Sequence, residues 1–103
     1  MIAVGLFVLL EAKPGKEREL AALLRAGLPL AQAEPATLVW VGFQLGPTTF
    51  GIFDAFADDT GRRAHLSGPI AAALAQQAGD LLARPPAIER LDVLGAKLPS
   101  PGV

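Results

Sequence analysis

The chain holds a single histidine, His65, and eleven positions before it stands Asp54, an acid set inside the apolar run FDAFA. An unperturbed imidazole titrates near pH ~6.5, so His65 is able to take a proton from a phenolic group at neutral pH, with Asp54 orienting the ring. Asp54 alternates with Phe50, Ile52 and Phe56, and an unpaired carboxylate on such a face is costly. It therefore needs a partner, a proton or a wet rim, and His65, Arg62, Arg63 and Arg90 are the available partners. A structural ion pair, or a histidine bonded to a backbone carbonyl, accounts for the same two residues without chemistry. Trp40, the only tryptophan, alternates with Gly42 and Gln44, which suits the wall of a cavity or an interface. Arg62 and Arg63 are either solvated flank residues or a means of capturing a substrate carboxylate. Ser67 reads as a helix cap with no base beside it. Cysteine is absent, which removes disulfides, thiolate nucleophiles and cysteine metal sites together, and no metal-ligand set replaces them.

These residues are positioned by a readable series of elements. Ile2 to Glu11 is apolar on both alternations, the pattern of a strand covered on both faces, and Lys13-Pro14-Gly15 ends it. From Lys16 onward Leu20, Leu23, Leu24, Gly27, Leu28 and Ala31 follow helical spacing, with Pro29 bending the helix or interrupting its hydrogen bonds. Thr37 to Leu45 and Thr49 to Ala57 are two strands joined by Gly46-Pro47-Thr48, hence an antiparallel hairpin. Asp58 caps a short helix over Asp59 to Leu66 that places His65 at the helix-sheet seam, and Gly68-Pro69 opens another helix with Ile70, Leu74, Ala78, Leu81 and Leu82 on one face. Ile88 to Leu98 is the last strand. The order predicts an α+β fold, a ferredoxin-like βαββαβ sandwich whose four-stranded antiparallel sheet carries its helices on one face. Residues 1–99 form the single domain and 100–103 a short Pro/Gly tail.

Hydrophobic residues make up 51% of the 103 and charged residues 18%, an apolar balance for a chain this small. The second face of the sheet, with Val39, Val41 and Phe43, would leave a large patch bare on a monomer. A homodimer with two sheets face to face is therefore expected. The net charge is -1 with no basic cluster, which argues against nucleic acid or an anionic membrane as partner. The opening MIAVGLFVLL has no positive leader or cleavage pattern, and its apolar run is shorter than the roughly 20 residues a membrane span needs. It is predicted to be a buried strand of a cytoplasmic protein.

The segments VLLEAKPGKEREL (8–20), EPATL (34–38), FGIFDAF (50–56), AHLSGP (64–69) and VLGAKLP (93–99) resemble, in order and over nearly the whole chain, the antibiotic biosynthesis monooxygenase family. That resemblance implies a dimeric α+β barrel and oxygenation of polycyclic or quinol-type aromatics by O2 with no metal or flavin cofactor. The protein would supply an apolar cavity and a proton acceptor. Oxygenating members carry an asparagine and a tryptophan four positions apart on the third strand, and Ile52 and Phe56 stand at the matching positions here. His65 and Asp54 are then the catalytic candidates, and Trp40, Ile52, Phe56 and Arg63 the substrate-binding ones. The alternative is a non-catalytic or stress-associated dimer that binds an apolar aromatic molecule. Haem-degrading relatives use a histidine on the second helical region, later in the chain than His65, and the stretch IAAALAQQAGD supplies none.

Overall fold

The computed structural model describes residues 1–99, so the expected tail at 100–103 lies outside the described residues. The elements are β1 (Val4–Glu11), α1 (Glu17–Gln32), β2 (Val39–Gln44), β3 (Thr49–Phe56), α2 (Asp59–Leu66), α3 (Pro69–Leu81) and β4 (Ala87–Asp92). The sheet order is β2-β3-β1-β4, and every neighbouring pair is antiparallel. This is the ferredoxin-like arrangement the element order implied, with the second helical region divided into α2 and α3.

Alternation decides what each face does. On β1 and β3, Leu6, Val8, Leu10, Phe50, Ile52 and Phe56 point into the helical layer and are at most 7% exposed. Burial of such side chains is worth about 1.5–3 kcal/mol each. From α1, Leu20, Leu24, Gly27 and Ala31 meet them, a stripe at i, i+4, i+7 and i+11 that matches the helical period. Leu28, expected in that stripe, falls at its edge and is 46% exposed. Pro29 has no N–H to offer the carbonyl four residues back, yet the helix continues to Gln32 and the Ala33 N–H reaches the Pro29 carbonyl at 3.2 Å. Where the chain leaves β1, Gly15 adopts a positive φ of 86°, a conformation that only glycine takes without strain.

The opposite face of the sheet carries no helix. There Phe7 stacks on Phe43 with ring centroids 6.0 Å apart, and Val41 is 48% exposed. The last strand is shorter than its apolar pattern suggested. β4 pairs only with β1, and Asp92 stands opposite Val4, where β1 begins. Past that point the Val93 N–H still bonds the Ala3 carbonyl at 2.8 Å, but the chain has run out of partner, and Leu94 is 99% exposed.

Candidate functional site

Helix α2 starts where Asp58 accepts the Gly61 N–H at 3.0 Å, and this cap sets the rotation of a short helix. Gly61 and His65, one turn apart, are its two buried residues. A Cβ on Gly61 would stand 3.3 Å from the Ala36 Cβ and 3.5 Å from the Phe56 Cβ, so glycine here lets α2 lie close to the sheet. The His65 ring consequently rests against Phe56, centroids 5.4 Å apart.

Both nitrogens of that ring are engaged. Nε2 lies 3.0 Å from Asp54 Oδ2, and Nδ1 lies 2.7 Å from Glu34 Oε1. Glu34 belongs to the connection after α1. Its N–H bonds the Ala31 carbonyl, its carbonyl accepts from the Thr37 N–H, and the Thr37 hydroxyl donates to Oε1 at 2.7 Å. One imidazole thus joins β3, α2 and the α1–β2 connection. Burial disfavours its charged form, but the hydrogen bonds and charges of Asp54 and Glu34 outweigh that, and the pKa of His65 is raised from 6.5. The imidazolium donates through both N–H groups, which leaves no lone pair to accept a further proton. Among the described residues the open valences belong to the two acids: Oδ1 of Asp54, which is 1% exposed, and Oε2 of Glu34 have no hydrogen-bond partner.

A third orphan lies across the strand from Asp54. Trp40 pairs with Asp54 in the β2–β3 register, and its buried Nε1 also has no partner. Facing residues of an antiparallel pair have Cβ atoms about 4.5–5.5 Å apart. A donor and an acceptor, each costly to leave unmade, therefore belong to neighbouring side chains on the helix-covered face. The indole is wedged between two glycines. A Cβ on Gly27 would stand 3.0 Å from Trp40 Cζ2, and one on Gly42 3.2 Å from Cη2.

Trp40 borders two cavities. The inner one, about 80 Å³, is an apolar slot between α1, α3 and the sheet, with Ile52, Ile70 and Leu74 in its wall. The outer one, about 440 Å³, is a cleft between α1 and β2 bounded by Leu24, Leu28, Phe43 and Phe50. Only the larger falls within the usual range of small-molecule sites, about 300–1,000 Å³.

The residues expected to form a site divide accordingly. His65 and Asp54 meet, while Trp40 and Ile52 share the inner slot. Phe56 lines neither of these two cavities: it is 0% exposed and serves as the floor beneath His65. Arg63 is corrected too. Its side chain is 69% exposed and pairs with Asp59 at 3.2 Å, because it lies on the outward face of α2. Arg62 likewise binds Asp59, at 2.9 Å, and reaches the carbonyls of Gly5 and Leu91 rather than Asp54. Glu34 was not anticipated, since a residue in a connection carries no periodicity. The one local sign was Thr37 three residues on, able to fold back onto it. Among the described residues no group of three or more His, Asp or Glu is placed to hold a metal ion. Haem fares no better, because iron ligation needs a free imidazole nitrogen and His65 has none.

No protein-family model matches the chain, and no curated protein matches it significantly. Solved structures do. A protein of unknown function from Nitrosomonas europaea, NE2512, is 56% identical over 97% of both chains, with a TM-score of 0.95. A candidate antibiotic biosynthesis monooxygenase from the same organism aligns at 18% identity over 89% of this chain and 99% of that one, with a TM-score of 0.81. Another, from Caulobacter crescentus, aligns at 23% identity over 91% and 92%, with a TM-score of 0.73. This chain therefore belongs to one family with the NE2512 protein, and its fold is that of the antibiotic biosynthesis monooxygenases.

Proposed function

We propose that this protein is a homodimeric oxygenase of a small aromatic substrate, in which Asp54 takes the substrate proton and His65 and Glu34 position it. This reverses the roles expected from sequence, and one observation carries it: Asp54 Oδ1 is buried and unpartnered while both nitrogens of His65 are occupied. A carboxylate held through one oxygen and free at the other is placed to receive a proton from an acidic O–H or C–H. The adjacent Trp40 N–H, also unpartnered, would donate to the oxygen on which negative charge develops. The deprotonated substrate then supplies electrons to O2. For a ring CH2 the balance is CH2 + O2 → C=O + H2O, with one oxygen atom retained and the other leaving as water. At about 80 Å³ the inner slot is smaller than the ~150 Å³ cavity known to hold benzene, and Asp54 lines neither cavity, so on this reading the reacting edge of a ring passes Trp40 to reach the acid while the outer cleft holds the rest.

The cleft's own lining favours a second reading. Asp54 is not part of it, so a protein that binds an aromatic molecule without transforming it would look the same there. Oxygen uptake and quinone absorbance over a panel of hydroquinones and anthrone-like compounds separate the two. Turnover that is lost in Asp54→Asn supports catalysis. Rates for wild type and Asp54→Asn that both equal the no-enzyme control would leave only the binding reading.

The second copy is proposed on the bare sheet face. Phe7, Val41, Phe43 and Phe53 lie there at intermediate or high exposure, and a self-complementary apolar patch of this kind suits a two-fold dimer. Light scattering at micromolar concentration gives twice the chain mass if this is right, and a monodisperse monomer if it is wrong.

A further inference from the structure

We infer that the outer cleft is a binding site for an aromatic carboxylate, with Arg25 as the anion anchor. This deepens the reading of the cleft as a ligand seat and rests on that reading, but it does not depend on any chemistry at Asp54.

The wall is apolar and aromatic, with Trp40 and Phe50 contributing rings and Leu24 and Leu28 aliphatic surface, while Phe43 borders the rim with its ring turned to the other sheet face against Phe7. Two polar side chains interrupt it, Arg25 from α1 and Gln44 from the end of β2. Arg25 is the one ionisable group in the lining. Among the described residues it forms no salt bridge, whereas Arg62 and Arg63 both do. Its helical neighbours at three and four positions, Ala21, Ala22, Leu28 and Pro29, offer no acid.

An unpaired guanidinium beside a ring-lined cleft is suited to a ligand with a flat apolar body and one carboxylate. The planar fork matches a carboxylate with two parallel hydrogen bonds, and the ring beside it gains from the aromatic walls. Gln44 can donate to the same anion or accept from a hydroxyl. The capture role that sequence suggested for Arg63 is therefore moved from α2 to α1, where a cavity exists to use it.

The test is calorimetric titration with 2-naphthoate and with the neutral analogue 2-naphthylmethanol. It is followed in parallel by the indole N–H resonance of Trp40, unassignable to any other residue because the chain has one tryptophan. Naphthoate is expected to bind and to shift the indole resonance. Arg25→Gln, at an exposed helix position, should weaken it about tenfold, the loss of roughly 1.4 kcal/mol, while Arg25→Lys retains part of the affinity and naphthylmethanol is indifferent to both. Equal affinity for acid and alcohol, or no effect of Arg25→Gln, would overturn the anion anchor while leaving the cleft a ligand seat. If neither compound binds, and the indole resonance moves only with protein concentration, a second copy fills the cleft and both readings fall.

Discussion

The inward and outward faces of α2 carry the same kinds of side chain in different surroundings. Outward, Asp59 pairs with Arg63, and their side chains are 47% and 69% exposed, while Arg62, 12% exposed, bridges Asp59 to the Gly5 and Leu91 carbonyls of the sheet. The Asp59 carboxyl is kept below its ordinary pKa chiefly by the hydrogen bond from Arg62, but water competes for the Asp59–Arg63 pair. Inward, His65 holds Asp54 and Glu34 with exposures of 7%, 1% and 16%. In that setting no water replaces a missing partner. Ion pairs in solvent are interchangeable decoration worth about 0–1 kcal/mol. A buried one constrains its neighbours, because removing any member strands the others.

The comparison breaks most visibly at His65. His65→Ala leaves one buried and one partly buried carboxylate facing a void, and the expected cost is about 3–5 kcal/mol, out of a total stability of about 5–15 kcal/mol for a domain of this size. A urea titration of the variant against wild type measures it, and a loss below 1 kcal/mol would show that the junction is wetter than its exposure suggests.

A smaller effect separates the faces by pH. The pKa of His65 is raised in the folded chain above its ordinary 6.5. Folding therefore holds a proton that the unfolded chain releases. Its stabilising contribution is complete below about pH 6.5 and is lost as pH rises from there through the folded-state value. Urea midpoints should fall across that interval in wild type. Asp54→Asn should flatten the fall, since an amide no longer favours the imidazolium. Asp59, whose pKa is lowered from 3.8, is already charged throughout that range.

The smallest expected effect sharpens the contrast from the other side. Arg63→Ala removes a pair of the outward cluster, and its unfolding midpoint should coincide with that of wild type in moderate salt, where exposed pairs are screened. A clear loss would mean that Arg63 adds to the bracing of α2 against the sheet that Arg62 provides.

Most of what positions the site could be read from residue order. The Asp58 cap, the spacing of Gly61 and His65, and the alternation that turns Asp54 inward are local patterns, and local patterns survive without knowledge of the fold. Glu34 was not legible, because its meeting with His65 bridges 31 positions and depends on where α1 ends. Arg63 was misplaced for a related reason. Being two positions from His65 on a helix sends its side chain to another face, where it meets Asp59 and solvent. The end of β4 was overextended because an apolar alternation predicts a strand wherever it continues, whereas a real strand stops with its partner.

The indole of Trp40, clasped between Gly27 and Gly42, has one further consequence. Each glycine lacks the single carbon atom that would push against the ring, and neither touches Asp54, His65 or Glu34 through a side chain. The room on either side of the indole can therefore be adjusted in steps of one methyl group by alanine at position 27 or 42, singly or together, with the ionic junction left as it is. Because that same indole carries the N–H opposite Asp54, a methyl added beside it changes what the protein accepts and how the N–H is aimed in one step.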